Sequence, residues 1–67
     1  MVNTKKIKAR LVELGTTISH ISGDMDMTPY TLGRKIGNQS DMTLNEANKL
    51  QKLLDIPDDD FNAYFFA

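Results

Sequence analysis

Thr17-Ile18-Ser19-His20-Ile21-Ser22-Gly23-Asp24-Met25-Asp26-Met27-Thr28-Pro29-Tyr30-Thr31-Leu32-Gly33-Arg34-Lys35-Ile36 holds two short helical patterns separated by a break. In the first, Ile18, Ile21 and Met25 recur at i, i+3 and i+7, which places them on one face of a helix over about Thr17–Met25 with Thr17 as its N-cap. Gly23, the serines and the β-branched residues give this helix little propensity of its own, so packing must hold it. Asp24-Met25-Asp26-Met27 reads as a tight turn, with Asp26 at a left-handed position that Asp tolerates better than most residues. Thr28-Pro29 starts the second helix, because a Thr cap satisfies a free N–H and Pro at the first helical position has none to leave unpaired. That helix spans about Pro29–Ile36, buries Leu32 and Ile36, and stops at Gly37-Asn38.

The flanking sequence supplies further helices. Ile7, Leu11 and Leu14 make the apolar stripe of a helix over about Thr4–Leu14, capped by Asn3 or Thr4 and stopped by Gly15. After a polar loop from Gln39 to Met42, Thr43-Leu44-Asn45-Glu46 has the spacing of a capping box. It opens a helix over about Leu44–Leu54 that buries Leu44, Ala47, Leu50, Leu53 and Leu54. Pro57 ends this region. Asp58-Asp59-Asp60 suits the positive end of a short fifth helix through Phe61 and Tyr64, while Tyr64-Phe65-Phe66-Ala67 is equally readable as a short strand, since aromatic clusters favour sheets. The expectation is an all-α single domain over residues 1–67: four to five short helices, a helical core at 3–56 and an aromatic C-terminal segment at 57–67, with that strand as the alternative ending.

The chain has 67 residues and no cysteine. A domain this small buries only about 60% of its unfolded surface and normally needs staples, a metal, a partner chain or very regular packing. Without disulfides, packing or a partner is left. No run approaches the roughly 20 apolar residues of a membrane span, and the charged N-terminus is unlike a signal peptide. The protein is therefore expected to be soluble and cytoplasmic, with no membrane partner. The formal net charge is −1, but it is unevenly spread. Residues 1–40 hold six basic against three acidic side chains, and residues 41–67 hold two against six, so one end suits phosphate better than the other.

On the helix over Pro29–Ile36, the advance of about 100° per residue puts Tyr30 and Arg34 opposite the buried Leu32 and Ile36, with Thr31 and Asn38 flanking them. That face carries no large aliphatic residue, and Gly33 beside it removes bulk. Arg can bind guanine O6 and N7 in bidentate fashion, Thr and Asn can reach base edges or phosphates, and the Tyr hydroxyl can donate to a phosphate. Two short helices, a tight turn and a second helix with small polar and basic residues outward form a helix-turn-helix pattern.

The run Gly15–Ile21 continued through Met27–Ile36 resembles, without gaps, the helix-turn-helix of the phage repressor and Cro-like (xenobiotic-response-element) family. Thr43-Leu44-Asn45-Glu46-Ala47-Asn48-Lys49-Leu50 extends the likeness, so that it covers most of residues 4–56. The resemblance implies a lambda-repressor-like fold whose third helix enters the major groove. It implies Thr28, Tyr30, Thr31 and Arg34 as groove-facing residues, and Thr17, Lys35, Asn38 and Gln39 as phosphate contacts. For Lys35, covering apolar surface with its stem is an equal alternative. The ending Tyr64-Phe65-Phe66-Ala67 is similar to that of small phage and prophage regulators. This chain departs from the pattern at Ile18, where the family usually has a phosphate-binding Gln, and at Asp26, which replaces the common turn glycine. Ser22 keeps the small-residue site.

Other features point to no chemistry of their own. His20 stands alone, without the three or four ligands a metal site needs. The Asp58–Asp60 run lacks the Gly and the distal Glu of a calcium loop. No nucleophile has a His and carboxylate around it, and no phosphate-binding glycine loop occurs. Neither a catalytic residue, a cofactor nor a small-molecule ligand is expected. Met25, Met27 and Met42 suit the core as adaptable filler. Phe61, Tyr64, Phe65 and Phe66 are a heavy aromatic load, expected to cap the core in part and to form a homodimer interface in part. The expectation is a DNA-binding transcriptional regulator of the Cro or repressor type, a homodimer on a double-stranded operator. The rival is a helix-turn-helix interaction module, an antirepressor or inhibitor, that binds a protein. A third reading is the N-terminal piece of a longer repressor, which the aromatic ending disfavours.

Overall fold

The first four helices of this protein are each opened by a short polar side chain that takes up a free backbone N–H. Such caps each contribute about 1 kcal/mol. The computed structural model describes residues 1–67. Helix α1 covers Thr4–Leu14 with Asn3 as cap, α2 covers Ile18–Asp24 with Thr17, α3 covers Pro29–Ile36 with Thr28, and α4 covers Leu44–Leu53 with Thr43. A 3-10 turn over Asp58–Asp60 leads into α5, Phe61–Phe65. The capping box is complete. Glu46 N–H donates to Thr43 Oγ1 at 3.1 Å, and Thr43 N–H donates to Glu46 Oε1 at 2.9 Å.

The first four helices all end at a left-handed residue: Gly15 with φ 67°, Asp26 with 55°, Asn38 with 64° and Asp55 with 51°. At every one the next residue's N–H reaches back to close the final turn: Thr16 to Leu11 O at 3.0 Å, Met27 to Ser22 O at 3.0 Å, Gln39 to Arg34 O at 2.8 Å and Ile56 to Gln51 O at 3.0 Å. Only the first of these stops is a glycine. Asp and Asn serve at the others because their short polar side chains tolerate this backbone region.

The core draws on every helix. Ile7 and Leu11 come from α1, Ile21 and Met25 from the α2 segment, Leu32 and Ile36 from α3, Ala47, Leu50 and Leu54 from the α4 segment, and Ile56 and Phe65 from the C-terminal part. Five large side chains, Ile7, Leu32, Ile36, Leu50 and Leu54, are fully enclosed. Burial of each contributes about 1.5–3 kcal/mol. Ser22 is the one buried polar residue; its hydroxyl donates to Ser19 O at 2.9 Å, so it satisfies itself within α2 while taking little room against its neighbours. Met27 and Met42 are half-buried against the core. No helix is long and apolar enough to cross a membrane.

Two expectations are corrected, and the ending left open between helix and strand is a helix. Leu14 is exposed, because it is the last residue of α1 and Gly15 turns the chain beyond the core. Leu44 is exposed at the first position of α4, on the rim of a groove instead of inside. The C-terminal strand does not form: the tail is helical, closed by Phe66 N–H to Asn62 O at 2.9 Å, and helical spacing stacks Phe61 against Phe65 with ring centroids 4.8 Å apart. The chain ends still pair, through Asn3 N–H to Tyr64 O at 2.8 Å and Ala67 N–H to Met1 O at 3.0 Å. Val2, which the sequence pattern did not mark, is buried between them and the α3–α4 loop.

Candidate nucleic-acid interface

Helix α3 is anchored inward by Leu32 and Ile36 and packs on α2 across the Met25–Thr28 turn, which makes a helix-turn-helix arrangement. Its outward side carries the four groove candidates, and the structure gathers them as two hydrogen-bonded pairs. Thr28 Oγ1 accepts the N–H of Thr31 at 3.2 Å and donates to Thr31 Oγ1 at 3.0 Å. Tyr30, 73% exposed, places its hydroxyl 3.5 Å from Arg34 Nη1 and its ring centroid 5.8 Å from the guanidinium carbon. Gly33 lies in the same helix with no atom within 4 Å of where a Cβ would stand.

Arg34 is held from the other side as well. Its Nε donates to Ser40 Oγ at 3.2 Å and its Nη2 to Gln39 O at 3.3 Å. In return, its own backbone carbonyl accepts the N–H groups of Gln39 at 2.8 Å and Ser40 at 3.2 Å. Ser40 was not among the sequence candidates. Its only sequence signal is that it lies six residues after Arg34, just past the helix stop.

The phosphate candidates fare differently. Thr17 is exposed and caps α2 by accepting the N–H of His20 at 3.2 Å, with its hydroxyl proton free to donate outward. Gln39 is exposed. Lys35 is half-buried, and its ammonium lies between the two Glu46 oxygens at 2.8 and 2.6 Å. The Lys35 ammonium, followed by the Thr43 N–H, holds the Glu46 carboxyl below its ordinary pKa. Asn38 uses its amide on the chain's own N-terminal backbone: Val2 N–H donates to Oδ1 and Nδ2 donates to Val2 O, both at 2.8 Å. The Lys35 ammonium and the Asn38 amide are thus engaged by the protein's own groups, whereas the Thr17 and Gln39 side chains are open to solvent.

The basic residues of the first half are also partly committed. Arg10 caps the C-terminal end of α4, with Nε on Leu54 O at 2.8 Å and Nη2 on Asp55 O at 3.1 Å. Lys6 sits 4.8 Å over the Tyr64 ring. Lys5 and Lys8 are exposed on α1.

Of the aromatic residues expected to cap the core in part and to form a dimer interface in part, Phe65 is 3% exposed and lies in the core. Phe61 and Tyr64 are half-buried against it. Phe66 is 59% exposed and stands at the edge of a groove of about 490 Å³ whose apolar walls include Met1, Val2, Met42, Leu44 and Ala47. No family model, no curated protein and no solved structure matches this chain.

Proposed function

We propose that the protein is a sequence-specific DNA-binding transcriptional regulator of the phage or prophage Cro and repressor type that it resembles, acting as a homodimer on an operator. The observation that carries this reading is the outward side of α3: exposed Tyr30 and Thr31 beside a half-buried Arg34, with no large aliphatic among them, on a helix pinned from behind by Leu32 and Ile36. An α-helix of this kind fits the major groove, where an Arg distinguishes base pairs by their acceptor pattern. Phe66 beside an apolar groove supports self-association, because a two-fold interface pairs the same patch with itself and here offers both the knob and the recess. A dimer would set two α3 helices on half-sites about one DNA turn apart.

A second reading is favoured by one observation. Lys35 is neutralised by Glu46 and the net charge is −1, so the α3 side has fewer free cations than the sequence count suggests. A helix-turn-helix module that binds a protein partner would tolerate that better than a DNA binder. Fluorescence anisotropy with duplexes of mixed sequence, at low and high salt, separates the two. Binding that weakens steeply with salt supports DNA recognition, and no binding even at low salt sinks it in favour of the interaction module.

A further inference from the structure

Resting on the DNA-binding reading, we propose that Ser40 and the Gln39 carbonyl are positioning groups that aim Arg34 so that its two outermost N–H bonds read a guanine end-on in each half-site. Arg carries five N–H donors in a fixed fork. In this protein Nε and Nη2 share one edge of the guanidinium, and that edge is taken by Ser40 Oγ at 3.2 Å and Gln39 O at 3.3 Å. The Tyr30 hydroxyl lies 3.5 Å from Nη1, on the opposite flank. One N–H on Nη1 and one on Nη2 are left, and planarity makes them parallel at the tip of the fork. That spacing matches O6 and N7 of guanine, and no other base presents two adjacent acceptors in the major groove.

The grip is reciprocal. Arg34 O accepts from both Gln39 N–H and Ser40 N–H, so the loop cannot shift without disturbing the helix end that carries the arginine. Asn38 fastens the same loop to Val2 from behind. A long flexible side chain is thereby confined before it meets DNA, which lowers the ordering cost on binding. Without Ser40 the arginine would keep its charge and its attraction to phosphate but lose its aim.

The test begins with selection of a preferred site from a randomised duplex pool by the wild-type protein, followed by base-pair swaps at each position. The wild type is expected to lose about 5- to 150-fold in affinity when one G·C pair is changed to A·T, and 7-deazaguanine at that position should also weaken it because the N7 acceptor is gone. Arg34→Ala should erase the preference. Ser40→Ala should shrink it about 3- to 10-fold, the worth of one hydrogen bond, at that position alone; Ser40→Thr, which keeps a hydroxyl, should restore it. The proposal is overturned if Ser40→Ala keeps the full preference or loses affinity equally at all positions. It is also overturned, with DNA recognition intact, if a selected site keeps its guanine preference in Arg34→Ala. If the wild type selects no site, the DNA-binding reading fails and takes this inference with it.

Discussion

The Lys35 ammonium lies 2.6 Å from Glu46 Oε2 and 2.8 Å from Oε1, and Oε1 also accepts the N–H of Thr43 at 2.9 Å. One carboxylate thus closes the α4 capping box and ties α4 to α3. Both side chains are mostly withdrawn from solvent, so the pair is better placed than an exposed one, whose worth is near zero to 1 kcal/mol.

This arrangement fixes a pH dependence. Because the Glu46 pKa is lowered in the folded chain, its contribution is present above the ordinary glutamate pKa and is lost as pH falls through the lowered one. Stability measured by urea unfolding should therefore fall more between about pH 6 and about pH 3 in the wild type than in Glu46→Gln. Parallel curves for the two proteins would contradict the assignment.

Asn38 combines a left-handed backbone with two hydrogen bonds to Val2. Asn38→Gly keeps the backbone freedom and loses the amide, so it should cost about 1–3 kcal/mol. Asn38→Ala adds the left-handed penalty and should cost about 1–2 kcal/mol more. Equal stability of the two variants in urea melts would show that the backbone conformation is not needed.

Gly33 has open space where a side chain would go. Gly33→Ala should stabilise the isolated protein by roughly 0.5–1 kcal/mol through helix propensity. On the recognition side of α3 the added methyl should weaken DNA binding. A variant that is stabilised and binds DNA as well as the wild type would show that close approach does not occur at this residue.

Phe65 and Phe66 are neighbours with opposite roles. Phe65→Ala should cost about 3–5 kcal/mol, as for a buried aromatic. Phe66→Ser should leave the monomer's melting unchanged and abolish self-association in sedimentation measurements. A wild type that stays monomeric at all concentrations would remove the dimer from the account.

What could be read from the sequence was what is decided locally. Asn3, Thr17, Thr28 and Thr43 act on N–H groups three residues away, so spacing alone gives the helix starts. The left-handed stop at Asp26 was equally readable, because few residue types tolerate it. Contacts chosen by tertiary approach left no such mark: Arg10 reaches a carbonyl 44 residues away, and Val2 meets Asn38 across 36. The same is true of the site. Tyr30 and Arg34 followed from periodicity, but the pairing of Lys35 with Glu46 and the hold of Ser40 on Arg34 depend on where α4 and the loop come to rest. In the tail, helical spacing separates the roles, since Phe61 and Phe65 share a face and Phe66 falls about 100° from Phe65.

The central claim is that the outward side of α3 is where the protein meets DNA. Two-dimensional NMR of the labelled protein, with a duplex added stepwise at low salt, tests it most directly. The account predicts that the largest amide shifts fall on Tyr30, Thr31 and Arg34, with smaller ones at Thr17 and Gln39, and that they recede as salt is raised. Shifts confined to the groove around Leu44 and Phe66, or none at all at saturating duplex, would contradict it.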